Sequence, residues 1–164
     1  MGGMTPSQLM KALEILGVRL NEYAKTLFSS RHFRCSVERH ELLTVELSVL
    51  DLGFPSGANI SDIHDKAAEI GLHPPPIELA PHLRLQYIDQ PEGFLGFPIT
   101  KHCAPPGAIT VTSEPLSEDE DFPKGFYLRR IDGVLWLRGY KSGPEHILNV
   151  NDRLVFIEKI ESAA

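Results

Sequence analysis

Two residues, Asp132-Gly133, stand between two stretches of alternating apolar and polar side chains, 126–131 and 134–138. Asp-Gly is the preferred pair for the two-residue type I′ turn of a β-hairpin, because both positions need a positive φ. A turn of this length fixes the register, so that the partner of each residue across the hairpin is known. One face of the hairpin then carries Phe126, Leu128, Leu135 and Leu137, and the other carries Tyr127, Arg129, Trp136 and Arg138.

The second of these faces combines aromatic rings with guanidinium groups and is one candidate binding surface. Arg129 is opposite Trp136 in the predicted register, and we expect its guanidinium to lie over the indole ring. Trp and Arg are enriched in binding hot spots, and an exposed Trp is unusual unless a partner covers it. The alternative is an arginine that stacks on Trp136 for stability alone.

A change from helical to β periodicity divides the chain near residue 81. The stretch 81–91 alternates apolar and polar residues like a half-buried strand. Short turns rich in glycine and proline separate the segments that follow it. Connections this short predict an antiparallel meander, curled into a partial barrel over the helices. The predicted strands are 82–89, 94–100, 108–114, 126–131, 134–140 and 153–160.

The first part of the chain predicts about three helices. Thr5 is an N-cap with Pro6 at the first helical position, and apolar residues then recur at steps of four and three as far as Leu27. Gly17 is a point at which this helix can break. A stripe of this kind favours burial in the core, with a homodimer through the stripe as the alternative.

The second and third helices are predicted around a glycine-rich turn. A helix is favoured from Ser36 to Gly53, because Gly53 is followed by proline, but the strict alternation at 43–49 makes a strand the competitor. The third helix begins after the N-cap Asn59 and ends at Gly71. The sequence therefore predicts one α+β domain over 1–164, with a helical part at 5–72 and a β-rich part at 80–160.

The charge of the chain argues against duplex DNA as a partner. Its formal net charge is −6, with 22 acidic against 16 basic residues. The third helix, which would be the second helix of a helix-turn-helix, exposes Asp62, Asp65 and Glu69. Such a face repels phosphate, so a structural helical pair is favoured over a nucleic-acid-binding regulator.

No run of apolar residues is long enough for a membrane span, and no secretory signal follows Met1-Gly2-Gly3. We therefore expect a cytoplasmic protein without a membrane partner. Cys35 and Cys103 fit no metal spacing, and the histidines form no ligand set, so neither a metal nor a cofactor is predicted.

A second candidate surface lies on the predicted strand 82–89. There His82, Arg84 and Gln86 would point to one face and could recognise an anion, with a solvated sheet face as the favoured alternative. His102-Cys103 is not a catalytic couple, because adjacent strand residues point to opposite faces. A basic patch between two helices could bind phosphate or RNA. The favoured alternative is that its charges only balance the acidic residues in the rest of the chain. The patch consists of Arg31, His32, Arg34, Arg39 and His40.

Several stretches give the chain a family resemblance over roughly residues 40–140. They are Leu52-Gly53-Phe54, an Ile, Ala-Glu and Gly-Leu pattern in 63–72, Pro81 with 83–87 and 89–91, and Leu135-Trp136-Leu137. In these residues the chain resembles a family of uncharacterised bacterial proteins, but it has Pro75-Pro76 where that family has a Cys-Pro pair. The resemblance implies no established activity, and it transfers no catalytic residue.

Two classes of function remain. The favoured class is a non-catalytic binding or interaction module that takes a small anionic ligand or a protein partner on a sheet face. The alternative is an enzyme acting on an anionic small molecule, with Arg84 and Arg129 as binding groups and His82 or His102 as acid or base. An enzyme should show a pocket where polar groups converge, whereas a module should show an open face.

Overall fold

The computed structural model of the chain describes residues 1–93 and 104–158. It contains helices and one sheet in a mixed order along the chain. The helices are α1 (Pro6–Ile15), α2 (Glu22–Ser29), α3 (Ile60–Glu69) and α4 (Leu79–Gln86), and the strands are β1 (Arg19–Leu20), β2 (Thr44–Ser48), β3 (Leu72–His73), β4 (Ile109–Val111), β5 (Gly125–Ile131), β6 (Val134–Tyr140) and β7 (Arg153–Glu158).

The strands form one open, mixed sheet in the order β1-β6-β5-β4-β7-β2, with β3 paired to β7 beside this path. The class is α+β as predicted, but the purely antiparallel meander is wrong, because β1 pairs with β6 and β4 with β7 in parallel. Among the described strands, only β5 and β6 are joined to each other by a two-residue turn. The longer connection 141–152 carries β7 past β6 and β5 to the far side of β4.

Helices cover both sides of the sheet, but at opposite ends. α1, α2 and α4 pack on one face of β5 and β6, around a buried cluster that includes Leu9, Phe28, Phe126 and Leu137. α3 packs against the other face at β2 and β7, through Ile63 and Ala67. The β1-β6-β5 end of that second face therefore has no helix over it in the described part of the chain.

The long helix predicted from Thr5 to Leu27 is two helices. α1 ends in a Schellman motif, in which Gly17 N donates to Glu14 O at 3.0 Å and Val18 N to Leu13 O at 3.0 Å. Gly17 has a φ of +79°, which is why the break predicted at this glycine occurs. The chain then forms β1 before Asn21 caps α2.

Asn21 performs two tasks at the end of β1. Its Oδ1 accepts from Ala24 N at 2.9 Å, which caps α2. The same side chain bonds the backbone of Gly139 twice, through Gly139 N to Oδ1 at 2.8 Å and Nδ2 to Gly139 O at 2.9 Å. Asn21 thus continues the pairing along β6 after the backbone of β1 has turned away.

The helix favoured from Ser36 to Gly53 is wrong, and the competing strand is the observed element. β2 pairs with β7, and the register sets Val45 opposite Phe156 and Leu47 opposite Leu154. Gly53, with a φ of +92°, ends a single turn after β2 rather than a helix. The helix-turn-helix alternative fails for the same reason, because residues 30–59, which lie between α2 and α3, contain no helix.

The strand predicted at 82–89 is also wrong, because residues 79–86 form α4. Leu79, Ala80 and Leu83 follow helical spacing and pack onto the sheet. Pro81 lies in the first turn of the helix, where its missing N–H removes no helical hydrogen bond. The predicted strand 94–100 lies outside the described residues.

Two predictions are confirmed in detail. α3 begins after the N-cap Asn59, whose Oδ1 accepts from Asp62 N at 2.8 Å. The β5–β6 hairpin has the predicted register, with Ile131 opposite Val134 and Arg129 opposite Trp136. No helix in the described part of the chain is long and apolar enough to cross a membrane.

The hairpin turn gives a first testable prediction. Asp132 and Gly133 have φ values of +52° and +74°, and no atom lies within 4 Å of a Cβ added at Gly133. Gly133→Val should therefore lower the free energy of unfolding through backbone strain alone, by more than ~1 kcal/mol. A urea melt measures the loss. The control is Gly143→Val, where a Cβ also meets nothing and φ is not positive; equal midpoints for the two variants would contradict the turn.

Candidate binding face

The end of the sheet that has no helix over it presents a set of mostly half-buried arginine and aromatic side chains. Alternation along β5 and β6 places the odd residues of β5 and the even residues of β6 on one face. Arg19 joins them, because it is the partner of Trp136 across the parallel β1–β6 pair. We define the arginine–tryptophan face as Arg19, Tyr127, Arg129, Trp136, Arg138 and Tyr140.

The indole ring of Trp136 lies between charged neighbours. The guanidinium carbon of Arg138 is 4.9 Å from the ring centroid, and that of Arg19 is 6.0 Å from it. Both distances suit a cation–π interaction. The prediction that the guanidinium of Arg129 lies over this ring is wrong, because those of Arg138 and Arg19 lie there instead. Trp136 is half-buried.

Tyrosines extend the face toward the far end of the hairpin. Arg138 Nε donates to Tyr127 Oη at 2.9 Å, which fixes the guanidinium beside both Tyr127 and Trp136. The rings of Tyr127 and Tyr140 are 6.4 Å apart. Burial raises the pKa of Tyr140 to about 12, so its phenol stays neutral at physiological pH.

Arg129 has polar atoms without a partner. Its Nε and Nη2 atoms are buried, and no hydrogen-bond acceptor reaches them within the described ranges 1–93 and 104–158. Arg129 as a whole is half-buried, but each buried nitrogen without an acceptor costs free energy, because it has lost water and gained no hydrogen bond. The strand positions of this face carry three arginines and no carboxylate.

The residues of the other predicted surface, His82, Arg84 and Gln86, do not share a sheet face. They lie on α4, where His82 and Arg84 are buried and Gln86 is exposed. Arg84 is 0% exposed, and burial lowers its pKa to about 10, which leaves it charged at neutral pH. The geometric basis for one anion-recognising face on these residues is therefore absent.

Arg84 instead ties α4 and the segment after it to the hairpin. Its Nη1 donates to Gln90 Oε1 at 2.6 Å, to Trp136 O at 3.3 Å and to Arg129 O at 3.4 Å. Its Nη2 donates to Tyr87 O. Gln90 is equally buried, and its Nε2 donates to Leu128 O at 3.1 Å. These contacts hold the backbone of β5 and β6 beneath the arginine–tryptophan face.

A cavity of about 480 Å³ lies at the other side of α4, near the first residues. His82 and Gln86 line it with Arg39 and His40, whereas Arg84 and Trp136 do not. His82 Nε2 accepts from Gly2 N at 3.2 Å. Burial and the neighbouring amino terminus lower the pKa of His82, so its ring is neutral at pH 7.

Cys35, the one cysteine within residues 1–93 and 104–158, is not an activated nucleophile. Burial and the carboxylate of Glu78 raise the pKa of the Cys35 thiol to about 11, which keeps it protonated at neutral pH. Glu78 bonds the backbone and hydroxyl of Ser36 and lies 3.9 Å from His82. The second cysteine, Cys103, and its neighbour His102 lie outside the described residues.

The basic patch remains as a surface feature after α2. Arg31, His32, Arg34, Arg39 and His40 are all exposed. Within the described ranges no group of His, Cys, Asp and Glu side chains has the arrangement of a metal site.

The sequence pattern missed Arg19, Tyr140 and Gln90. Arg19 lies in a two-residue strand, which is too short to show a period in the sequence. Gln90 follows α4, for which the alternation of residues predicts a strand. Tyr140 could have been found, because it continues the alternation of Trp136 and Arg138.

Comparisons with family models, with curated proteins and with solved structures return no match. The resemblance to uncharacterised bacterial proteins stays a prediction.

Proposed function

We propose that this chain is a non-catalytic binding module that takes an anionic partner on the arginine–tryptophan face. The observation that carries the proposal is the surplus of cations there. Arg19, Arg129 and Arg138 share the face without a carboxylate at its strand positions, and two buried atoms of Arg129 lack an acceptor. Guanidinium groups in this arrangement favour carboxylate or phosphate oxygens.

The enzyme alternative has less support from the geometry. Its named groups are spread over separate places: His82 lines the cavity, Arg84 is locked in backbone contacts, and Arg129 is on the opposite face of the hairpin. Among the named groups that the structure describes, an acid or base and a binding group therefore do not converge, as general acid–base catalysis would need; His102 lies outside the described residues.

The test uses long-chain polyphosphate as the anion and the fluorescence of the single Trp, Trp136, as the signal. We expect salt-sensitive binding that weakens about tenfold in the double variant Arg129→Gln, Arg138→Gln. The matched control is Arg31→Gln, Arg34→Gln, which removes the same charge from the exposed basic patch. Thermal unfolding of each variant confirms that it is folded.

Two results would contradict the proposal. One is an equal loss of affinity in the Arg31, Arg34 control. That result would mean that the basic patch binds the anion, or that only the net charge of the protein matters. The other is wild-type protein that shows no salt-sensitive binding of polyphosphate.

A further inference from the structure

Charge and aromatic rings alternate across the arginine–tryptophan face. Trp136 on β6 is opposite Arg129 on β5, and in the next pair of this face Arg138 on β6 is opposite Tyr127 on β5. Neighbouring strands are about 4.8 Å apart. Each ring therefore has one arginine opposite it on the partner strand and another two residues away on its own strand. Arg19 adds a further cation on the other side of Trp136.

This pattern restricts the chemistry of the ligand. A small inorganic anion would pair with the guanidinium groups and make no use of the rings of Trp136 and Tyr127. An apolar ligand would cover the rings and leave the buried Nε and Nη2 of Arg129 without an acceptor. A ligand with both phosphates and flat aromatic groups, repeated along its length, satisfies both requirements.

Nucleic acid has this composition, and the shape of the face selects its single-stranded form. In a duplex the bases are paired and stacked on one another, so they cannot lie on a side chain of a sheet. In a single strand they can turn outward and stack on aromatic side chains, while the backbone follows a basic surface.

We propose that the arginine–tryptophan face binds single-stranded nucleic acid, with Arg19 and Arg138 moving from the ring of Trp136 to phosphates and a base stacking on the ring in their place. The inference rests on the proposed function and adds the class of the anion.

The net charge of −6 does not by itself oppose this site, because the strand positions of the face carry no carboxylate. Asp62, Asp65 and Glu69 are on α3, which covers the opposite end of the sheet. The acidic loop 117–121, between β4 and β5, meets the end of the face, where Asp121 lies 3.9 Å from Lys141 next to Tyr140, and its charge is partly balanced there by this lysine. Phosphate contacts depend on local charge, since salt screens interactions beyond about 10 Å.

The experiment uses the full chain and a labelled, mixed-sequence RNA single strand of about 12 nucleotides. We expect it to bind and to quench Trp136, the single Trp of the chain. Trp136→Leu should weaken binding roughly tenfold, whereas Trp136→Phe, which keeps a ring, should retain most of it. Arg19→Gln should lower the slope of log affinity against log salt by about 0.7, the value for one phosphate of a single strand.

The controls separate this inference from the proposed function. Arg31→Gln, on the exposed basic patch, should leave RNA binding and its salt slope nearly unchanged. If polyphosphate binds through Arg129 and Arg138 but Trp136→Leu does not affect RNA binding, the stacking inference is wrong and the anion site remains. Duplex RNA of the same sequence that binds as tightly as the single strand would also overturn it. If neither polymer binds, both proposals fail.

Discussion

Replacing Arg84 by alanine is expected to lower the free energy of unfolding by about 4 kcal/mol. The guanidinium is fully buried and donates to three backbone carbonyls, of Tyr87, Arg129 and Trp136, and to the side chain of Gln90. Alanine removes these donors from groups that water cannot reach, and it also leaves a cavity. The loss should appear as a lower midpoint in urea and in thermal unfolding.

A second variant separates the hydrogen bonds of Arg84 from its volume. Arg84→Met fills much of the space but donates nothing, so it should remain clearly less stable than the wild type. Arg31→Met is the control, because Arg31 is exposed and its change should fall within about 0.5 kcal/mol. If Arg84→Met were as stable as the wild type, Arg84 would contribute packing only, and its bridging role would be wrong.

Gly139→Ala is expected to cost about 3 kcal/mol. A Cβ at this position would lie 2.6 Å from the carbonyl carbon of Tyr23 and 2.7 Å from Ala24 N. Both are backbone atoms of α2, and Asn21 bonds Gly139 on either side of the contact, so the helix cannot move away without losing those bonds.

The measurement for Gly139 is a urea melt followed by tryptophan fluorescence, because Trp136 lies on the same strand. Gly143→Ala provides the matched control, since a Cβ there meets nothing within 4 Å and φ is not positive. Equal stability of Gly139→Ala and Gly143→Ala would show that α2 does not approach β6 as closely as described.

The elements that the sequence predicted correctly are those whose ends are defined locally. The Asp132-Gly133 turn alone sets the register of β5 and β6, and Asn59 with Gly71 delimits α3. These are interactions between near neighbours in the chain, which a single sequence contains in full.

The elements that it predicted wrongly are those decided by distant partners. Residues 44–48 could follow either period, and their pairing with β7, more than 100 residues later, makes them a strand. Residues 82–89 alternate like a strand, but the packing of α4 against the sheet and the bonds of Arg84 favour a helix over 79–86. Periodicity cannot weigh such contacts, because the residues that make them are remote in the sequence.

The same distinction applies to the binding face. Tyr127, Arg129, Trp136 and Arg138 could be grouped from the hairpin register, since both strands adjoin one turn. Arg19 could not, because it reaches Trp136 only through the parallel pairing of β1 with β6. The polar set of His82, Arg84 and Gln86 rested on a strand that does not form, so its members separated.

The contact between Asn21 and Gly139 also bears on how copies of this chain could aggregate. An outer strand with free backbone groups is a template for pairing with another molecule. Along β6 that template is occupied, by β1 and then by the amide of Asn21. On the main path of the described sheet the end strands are β1, which has only two residues, and β2, whose central Glu46 carries a charge paired with Arg153. Asn21→Ala would expose a further stretch of β6 and should make the folded protein more prone to assemble into larger particles.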